Sequence, residues 1–368
     1  MKIAQICPRY SPDIGGVETH VKEISERLVK AGHDVEVITT DPTGKLNRRD
    51  MINGVKIIRF RSFAPGNAYY FAPQIYFYLK KHNFDVIHAH SYHAFPALFA
   101  ALGKRERRLV FTPHYHRNGH TEFRNLLHKP YRLLGRMIFS KADSVICVSE
   151  YEKRLVESDF KVAAKTIKIP NGINLKEFEI PKQPGKGSKR KAGREKILLY
   201  VGRLEEYKGV QYIIQILPEL QDFRVRIVGK GPYEAELRGM AKDLGVEGRI
   251  EWLKELSRKE LLECYADADA FLMLSSHEAY GITVAEALAA GTPCIVAKGS
   301  ALEEFVDGEY CVGIEMPISA KKVVKTIKNL KNGITEKGYG SKSLMDWIEV
   351  AEKTIKIYEF AIQSGSYP

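Results

Sequence analysis

Residues 271–297 read FLMLSSHEAYGITVAEALAAGTPCIVA, and the rest of the chain is organised around this stretch. Phe271 to Leu274 form an apolar run of strand length, which Ser275, Ser276 and His277 interrupt ahead of Glu278. Gly281 and Thr283 then open a helical pattern in which Val284, Ala287 and Leu288 recur at spacings of three and four, and Gly291 and Pro293 stop it. Cys294 to Ala297 is apolar again and reads as a second strand. Strand, polar loop, helix and strand is the unit by which an open parallel sheet presents a ligand at the carboxyl end of a strand.

Glu278 and Glu286 flank that turn, eight positions apart. The backbone N–H groups of Gly281, Ile282 and Thr283 fall between them at the predicted helix N-terminus, where free donors and the positive end of the helix dipole favour a phosphate. A phosphate between two carboxylates fits a sugar nucleotide, with one carboxylate on sugar hydroxyls and the other on ribose hydroxyls. The same residues also fit a glutamate that stabilises its own helix start and a second one on a solvated face. On the loop after the apolar run Ile197 to Val201, Arg203 and Lys208 supply two cations. Such a pair can clamp a diphosphate, arginine through its planar fork and lysine as a point charge, and the spacing alone equally fits surface charge beside a helix start.

The order Glu278, Tyr280, Gly281, Glu286, Ala287, Gly291, Pro293 resembles the E-x7-E signature of retaining GT-B glycosyltransferases, within glycosyltransferase family 4 (group 1). Gly202-Arg203 with Lys208-Gly209 is similar to that family's phosphate loop, and Gly229-Lys230-Gly231-Pro232 to its G-x-G-P turn. Gly299 to Glu303 resembles the family's G-G-I-P-E loop but departs from it at the second glycine and the proline. Gly15-Gly16-Val17-Glu18, His88-x-His90-Ser91 and Thr112-x-His114 are similar to members that glycosylate phosphatidylinositol-type lipids.

The resemblance implies an α/β GT-B fold, with two Rossmann-like, doubly wound parallel-sheet domains facing a cleft. It implies retaining transfer of a hexosyl unit from a UDP- or GDP-linked sugar, GDP-mannose among them, to a lipid or glycan acceptor. Glu278 would hold sugar hydroxyls, Glu286 the ribose, and Arg203 and Lys208 the diphosphate, with Gly202, Gly229, Gly231, Tyr280, Gly281, Ile282 and Thr283 around the donor. Gly15 and Gly16 would approach the diphosphate and acceptor, and His114 the reacting sugar edge. No metal and no cofactor beyond the nucleotide sugar is expected.

At 368 residues the chain exceeds one ordinary core. The expected organisation is an acceptor-binding domain over 1–181, a nucleotide-sugar domain over 195–342 and a segment over 343–368 that packs back on the first. The boundary is drawn at Pro181 to Arg194, PKQPGKGSKRKAGR, which has almost no apolar content. Short apolar runs ending in polar loops recur on both sides of it: Lys2 to Cys7, Asp34 to Thr40, Val55 to Phe60, Phe84 to His90, Val110 to Thr112, Ser144 to Val148, Ile167 to Ile169, and then Ile197 to Val201 and Arg224 to Val228. Leu344, Trp347, Ile348, Ala351, Ile355 and Tyr358 mark a final helix.

No run of about 18 apolar residues exists, so no membrane span is expected. The N-terminal residues carry no signal-like region, and five scattered cysteines without a C-x-x-C pair point to a reducing cytoplasm. Charge is uneven: residues 1–180 hold 29 Lys+Arg against 18 Asp+Glu, and the remainder 28 against 27. A basic half suits an anionic partner. Phe123 to Phe139 would form a helix with Arg124, His128, Arg132 and Arg136 beside an apolar stripe, a pattern suited to an anionic membrane surface or to a core-facing helix with a solvated face, with Pro130 interrupting it. Ten of the eleven histidines lie within residues 1–128. Among them His88, His90, His93, His114, His116 and His120 crowd two strand exits without a carboxylate or cysteine partner set, and no metal is assigned to them.

Three other classes remain to be weighed: a nucleotide-sugar epimerase of the same fold, a dehydrogenase, and a nucleic-acid-binding protein using the basic half. The dehydrogenase lacks a G-x-G-x-x-G fingerprint, and nucleic-acid binding leaves Glu278, Glu286, Arg203 and Lys208 without a task.

Overall fold

The computed structural model describes residues 1–117, 122–178, 195–330 and 344–364, with side chains of the helix beginning at Glu122 described from Tyr131. The expected linker, Pro181 to Arg194, lies outside the described residues. Two compact units result, Met1–Gly172 with Met345–Pro368, and Ile173–Leu344.

In chain order the first unit contains β1 (Lys2–Ile6), α1 (Gly16–Lys30), β2 (Asp34–Asp41), β3 (Arg49–Ile52), β4 (Val55–Arg61), α2 (Gln74–Lys81), β5 (Val86–His90) and α3 (Phe95–Gly103). It continues through β6 (Arg108–Thr112), α4 (Glu122–Lys141), β7 (Ser144–Cys147), α5 (Glu150–Phe160) and β8 (Thr166–Lys168), and the chain departs through β9 (Gly172–Ile173). The second unit contains β10 (Lys196–Val201), α6 (Val210–Ile216), β11 (Phe223–Val228), α7 (Glu234–Asp243), β12 (Ile250–Leu253) and α8 (Arg258–Asp267). Then follow β13 (Ala270–Met273), α9 (Ile282–Ala289), β14 (Cys294–Ala297), β15 (Cys311–Ile314) and α10 (Ala320–Asn329). The chain returns to the first unit through β16 (Met345–Asp346) and α11 (Trp347–Ser364).

The first sheet runs β3-β4-β2-β1-β5-β6-β7-β8 and is parallel apart from the β3–β4 pair. Because side chains alternate across a strand, each central strand feeds two cores. Ala4, Ile38, Ile58, Ile87 and Phe111 face one core with Leu79, Phe99 and Phe139, while Ile3, Val37, Ile57, Val86 and Val110 face the other with Val21, Ile24 and Leu28 of α1 and Trp347, Val350 and Tyr358 of α11. The second sheet, β12-β11-β10-β13-β14-β15, is parallel throughout.

The decisive stretch folds as its pattern predicts: β13, a polar loop, α9 starting at Ile282, and β14 starting at Cys294. Other elements differ. Edge strand β3, Arg-Asp-Met-Ile, has no apolar pattern of its own and forms by pairing antiparallel with β4. Pro130 does not interrupt α4, which continues to Lys141 with Tyr131, Ile138 and Phe139 buried in the core. Removing one intrahelical hydrogen bond is a cost that such burial offsets. On α11, Ile348 is half exposed and Val350 takes the buried position, while Leu344 precedes the helix. All five cysteines are buried and free of disulfides. No helix among the described residues is long and apolar enough to cross a membrane.

One buried layer is polar. Gln5, His88, His90 and Thr112 point to the α1/α11 side of the first sheet, and all are fully buried. Gln5 Nε2 donates to Tyr358 Oη at 3.0 Å, and Tyr358 Oη donates to His88 Nδ1 at 2.6 Å. His88 Nε2 then donates to Thr112 Oγ1 at 2.8 Å, and His90 Nε2 to Gln5 Oε1 at 2.7 Å. The proton positions follow from giving every group in the chain one consistent role. Tyr358→Phe leaves both partners unsatisfied in the interior, so chemical denaturation should show about 1–3 kcal/mol lost. A loss within experimental error would refute the relay.

Candidate active site

The second unit gathers most of the donor-side residues at the carboxyl ends of its strands. After β10, Gly202 leads to Arg203, whose side chain is half exposed and pairs with Glu205. The loop then turns through Lys208 into Gly209, which has φ 76° and whose missing Cβ would meet the Leu274 carbonyl oxygen at 2.2 Å. Only glycine fits there, and it lets the loop lie against the end of β13. Tyr207 O accepts from Ser276 N at 2.9 Å, which joins the loop to the one carrying Glu278. Lys208 Nζ consequently meets Glu278 Oε1 at 2.5 Å, with both side chains largely shielded. Burial works to lower the Lys208 pKa, but the Glu278 carboxylate and the Tyr207 ring beside it outweigh burial and raise it.

Gly229 and Gly231 brace this loop. Gly202 N donates to Val228 O and Leu204 N to Lys230 O, at 3.0 and 3.1 Å. A Cβ on Gly229 would stand 1.9 Å from the Gly202 carbonyl oxygen, so the turn admits nothing larger. Gly281 caps α9, with Ile282 and Thr283 in its first turn and Tyr280 packed edge-on to Phe305. The Gly299–Glu303 loop, despite its departures from the family pattern, is held against Glu278 by Ala301 N donating to Glu278 O at 3.2 Å.

Glu286 is buried rather than solvated. Its Oε1 accepts from Arg258 Nη1 at 2.6 Å and its Oε2 from Tyr265 Oη at 2.9 Å, both on α8. Arg258 also pairs with Glu177 at 2.7 Å. Arg258 and Tyr265 were not singled out in the sequence, because nothing local ties α8 to a carboxylate 28 positions later.

In the first unit, the Gly15-Gly16 turn starts α1 and is buttressed by Glu18, which pairs with Arg9 at 2.7 Å. Ile14 beside it is 88% exposed. His114 follows β6 with φ 47°. His20 of α1, also not singled out, brings its ring to 5.0 Å from that of His114 and 5.3 Å from that of His90. His93 and His116 stack at 4.1 Å, and His120 lies outside the described residues. Desolvation lowers the pKa of His20 to about 4 and those of His88, His90 and His114 well below the usual value, with neighbouring histidine charges adding to it for the last three. Arg132 and Arg136 are exposed on α4 beside exposed Leu133, and the Arg124 side chain lies outside the described ones.

Two parallel-sheet units carrying this loop set define the class of GT-B glycosyltransferases. The family model described as Glycosyltransferase Family 4 matches residues 14–177, and that described as Glycosyl transferases group 1 matches 182–353. The chain belongs to this group 1 family of glycosyltransferases and is a hexosyltransferase. It is 26% identical over 378 residues to the phosphatidylinositol N-acetylglucosaminyltransferase GPI3 subunit of Saccharomyces cerevisiae, covering 97% of this chain and 82% of that one. It is 27% identical over 386 residues to the phosphatidyl-myo-inositol mannosyltransferase of Mycolicibacterium smegmatis, covering 99% and 95%. Sucrose-phosphate synthase of Thermosynechococcus elongatus has the same fold, with a TM-score of 0.82, 19% identity and 98% of each chain covered.

A histidine that protonates near 6.5 when unfolded and at about 4 when folded contributes stability above pH 6.5 that is lost as pH falls. His20 alone should withdraw about 2 kcal/mol between pH 7 and pH 5. Urea denaturation in metal-free buffer at the two pH values checks this, because His20→Gln should flatten the dependence. Equal slopes for wild type and variant would contradict it.

Proposed function

We propose that the chain transfers a hexosyl unit with retention from a UDP- or GDP-linked sugar to the polyol headgroup of a lipid. The observation that carries the reading is the shielded Lys208–Glu278 pair, set between Arg203 and the first turn of α9. Each partner keeps capacity after pairing: the ammonium has two further N–H donors and the carboxylate a second oxygen. A diphosphate oxygen on Lys208 and a sugar hydroxyl on Glu278 therefore leave the ion pair intact. Arg203, half exposed, takes the second phosphate, and Glu286, oriented by Arg258 and Tyr265, takes the ribose hydroxyls.

The cations stabilise the charge that grows on the departing nucleoside diphosphate, the task a divalent ion performs elsewhere, so the transfer needs no metal on the diphosphate. The anomeric carbon–phosphate oxygen bond breaks as the acceptor oxygen bonds to the same face, and the acceptor proton passes to the departing phosphate. Neither glutamate serves as nucleophile. The resemblance assigns Gly15-Gly16 and His114 to the acceptor and reacting sugar edge, and a neutral imidazole there accepts a hydroxyl proton in a hydrogen bond. Both relatives act, by name, on phosphatidylinositol lipids. Exposed Phe63, Phe71 and Phe77, with Lys80, Lys81, Arg132 and Arg136, suit the first unit to an anionic membrane face, where the enzyme works peripherally from the cytoplasm.

Thermal unfolding with UDP, GDP, ADP and NAD tests the clamp. UDP or GDP at about 100 times its dissociation constant should add roughly 2.7 kcal/mol to wild type and next to nothing to Arg203→Ala/Lys208→Ala. No nucleotide response, or one unchanged in the variant, would overturn the assignment. With the sugar nucleotide so identified and phosphatidylinositol vesicles, NMR should show a product of the donor's anomeric configuration. Inversion, or an epimerised donor without transfer, would refute the proposed reaction.

A further inference from the structure

His20, His90 and His114 come from three separate elements, yet each aims one ring nitrogen at the others. The three nitrogens lie within 4.8 Å of one another. Among the described residues, His20 Nε2, His90 Nδ1 and His114 Nε2 are all shielded from solvent and have no hydrogen-bond partner. Orphaned buried polar atoms are uncommon, and three converging on one point call for a common partner.

The opposite ring edges show which form each imidazole takes. His20 Nδ1 meets Asn171 Oδ1 at 2.6 Å, and His90 Nε2 meets Gln5 Oε1 at 2.7 Å. An amide oxygen only accepts, so these ring nitrogens carry the protons and Nε2 of His20 and Nδ1 of His90 carry lone pairs. Gln5 is itself fixed by its bond to Tyr358 Oη. Lone pairs that converge repel an anion and attract a cation or a hydroxyl donor. A histidine whose second nitrogen donates to a carbonyl-type oxygen is also the usual arrangement around a bound metal, because it sets tautomer and ring orientation.

We propose that His20, His90 and His114 form a three-imidazole site for a divalent transition metal of the zinc type, with a fourth position open to water or another oxygen ligand. All-nitrogen ligation suits zinc, cobalt, nickel or copper and disfavours magnesium, which demands oxygen. Zinc–nitrogen bonds of about 2.0–2.1 Å in a tetrahedron place the nitrogens roughly 3.3 Å apart, so ring rotations moving each nitrogen by about 1 Å close the site. His20 and His90 are buried and His114 is the member that reaches solvent, which gives the ion an entry. All three ligands belong to the first unit and none is assigned to the diphosphate, although His114 is also the residue assigned above to the reacting sugar edge.

The test uses the full chain without a histidine tag, stripped with a chelator and titrated with Co²⁺, then Zn²⁺. Wild type should bind one equivalent of Co²⁺ with the strong visible absorption of four-coordinate cobalt, and Zn²⁺ should displace it while Mg²⁺ does not. His20→Gln and His90→Gln should abolish the absorption, and His116→Gln, outside the triad, should leave it unchanged. Asn171→Ala keeps every ligand and loses only the partner of His20, so its affinity should fall about 10–100-fold. This variant decides the matter if the ligand variants do not fold. Binding below a tenth of an equivalent, a pale six-coordinate spectrum, or affinity unchanged in Asn171→Ala or His20→Gln would overturn the site.

Discussion

A strand in a parallel sheet, covered by helices on both faces, can place polar chemistry only at its carboxyl end or in a layer where every group is satisfied. Both units obey this constraint, in different ways. In the second, Arg203 follows β10, Gly229 follows β11, Glu278 follows β13 and Gly299 follows β14, so four of the six strands deliver a site loop to the same edge of the sheet. In the first, Gln5, His88 and Thr112 stay within the sheet because Tyr358 of α11 completes their hydrogen bonds.

Charge follows the same logic. Lys208 and Glu278 are retained in a shielded position because each neutralises the other, and Glu286 because Arg258 and Tyr265 do so. Removing one member of such a pair leaves an uncompensated charge, which costs far more than the pair itself contributes. The two glutamates differ in consequence. Glu278 is held by Lys208 of a loop, whereas Glu286 is held by two residues of a helix.

The strands, the α9 turn, the loop positions of Arg203, Lys208 and Glu278 and the helical position of Glu286 were legible because they depend on local periodicity and on turn residues. Gly209 and Gly229 stand out in sequence for the same reason that the structure needs them: carbonyl groups approach where a side chain would stand. What escaped depends on distance along the chain. Arg258 reads as one cation of many until α8 packs beside α9, and His20 is one polar position of an amphipathic helix until β5 and the β6 exit bring His90 and His114 to it. β3 escaped because its pairing with β4, rather than its composition, makes it a strand. Pro130 misled because burial of Tyr131, Ile138 and Phe139 beyond it outweighs a local rule.

Tyr358 stands 353 residues from Gln5, to which it is bound. A ribosome makes the first unit's sheet early and α11 only after the whole of the second unit. Until then the sheet face that holds Gln5 and His88 is covered by α1 but not by α11, and the apolar residues that later meet Trp347 and Val350 remain open to other chains. The discontinuous unit therefore ties completion of its fold to the synthesis of α11, and the second unit, continuous from Ile173 to Leu344, is free to fold first.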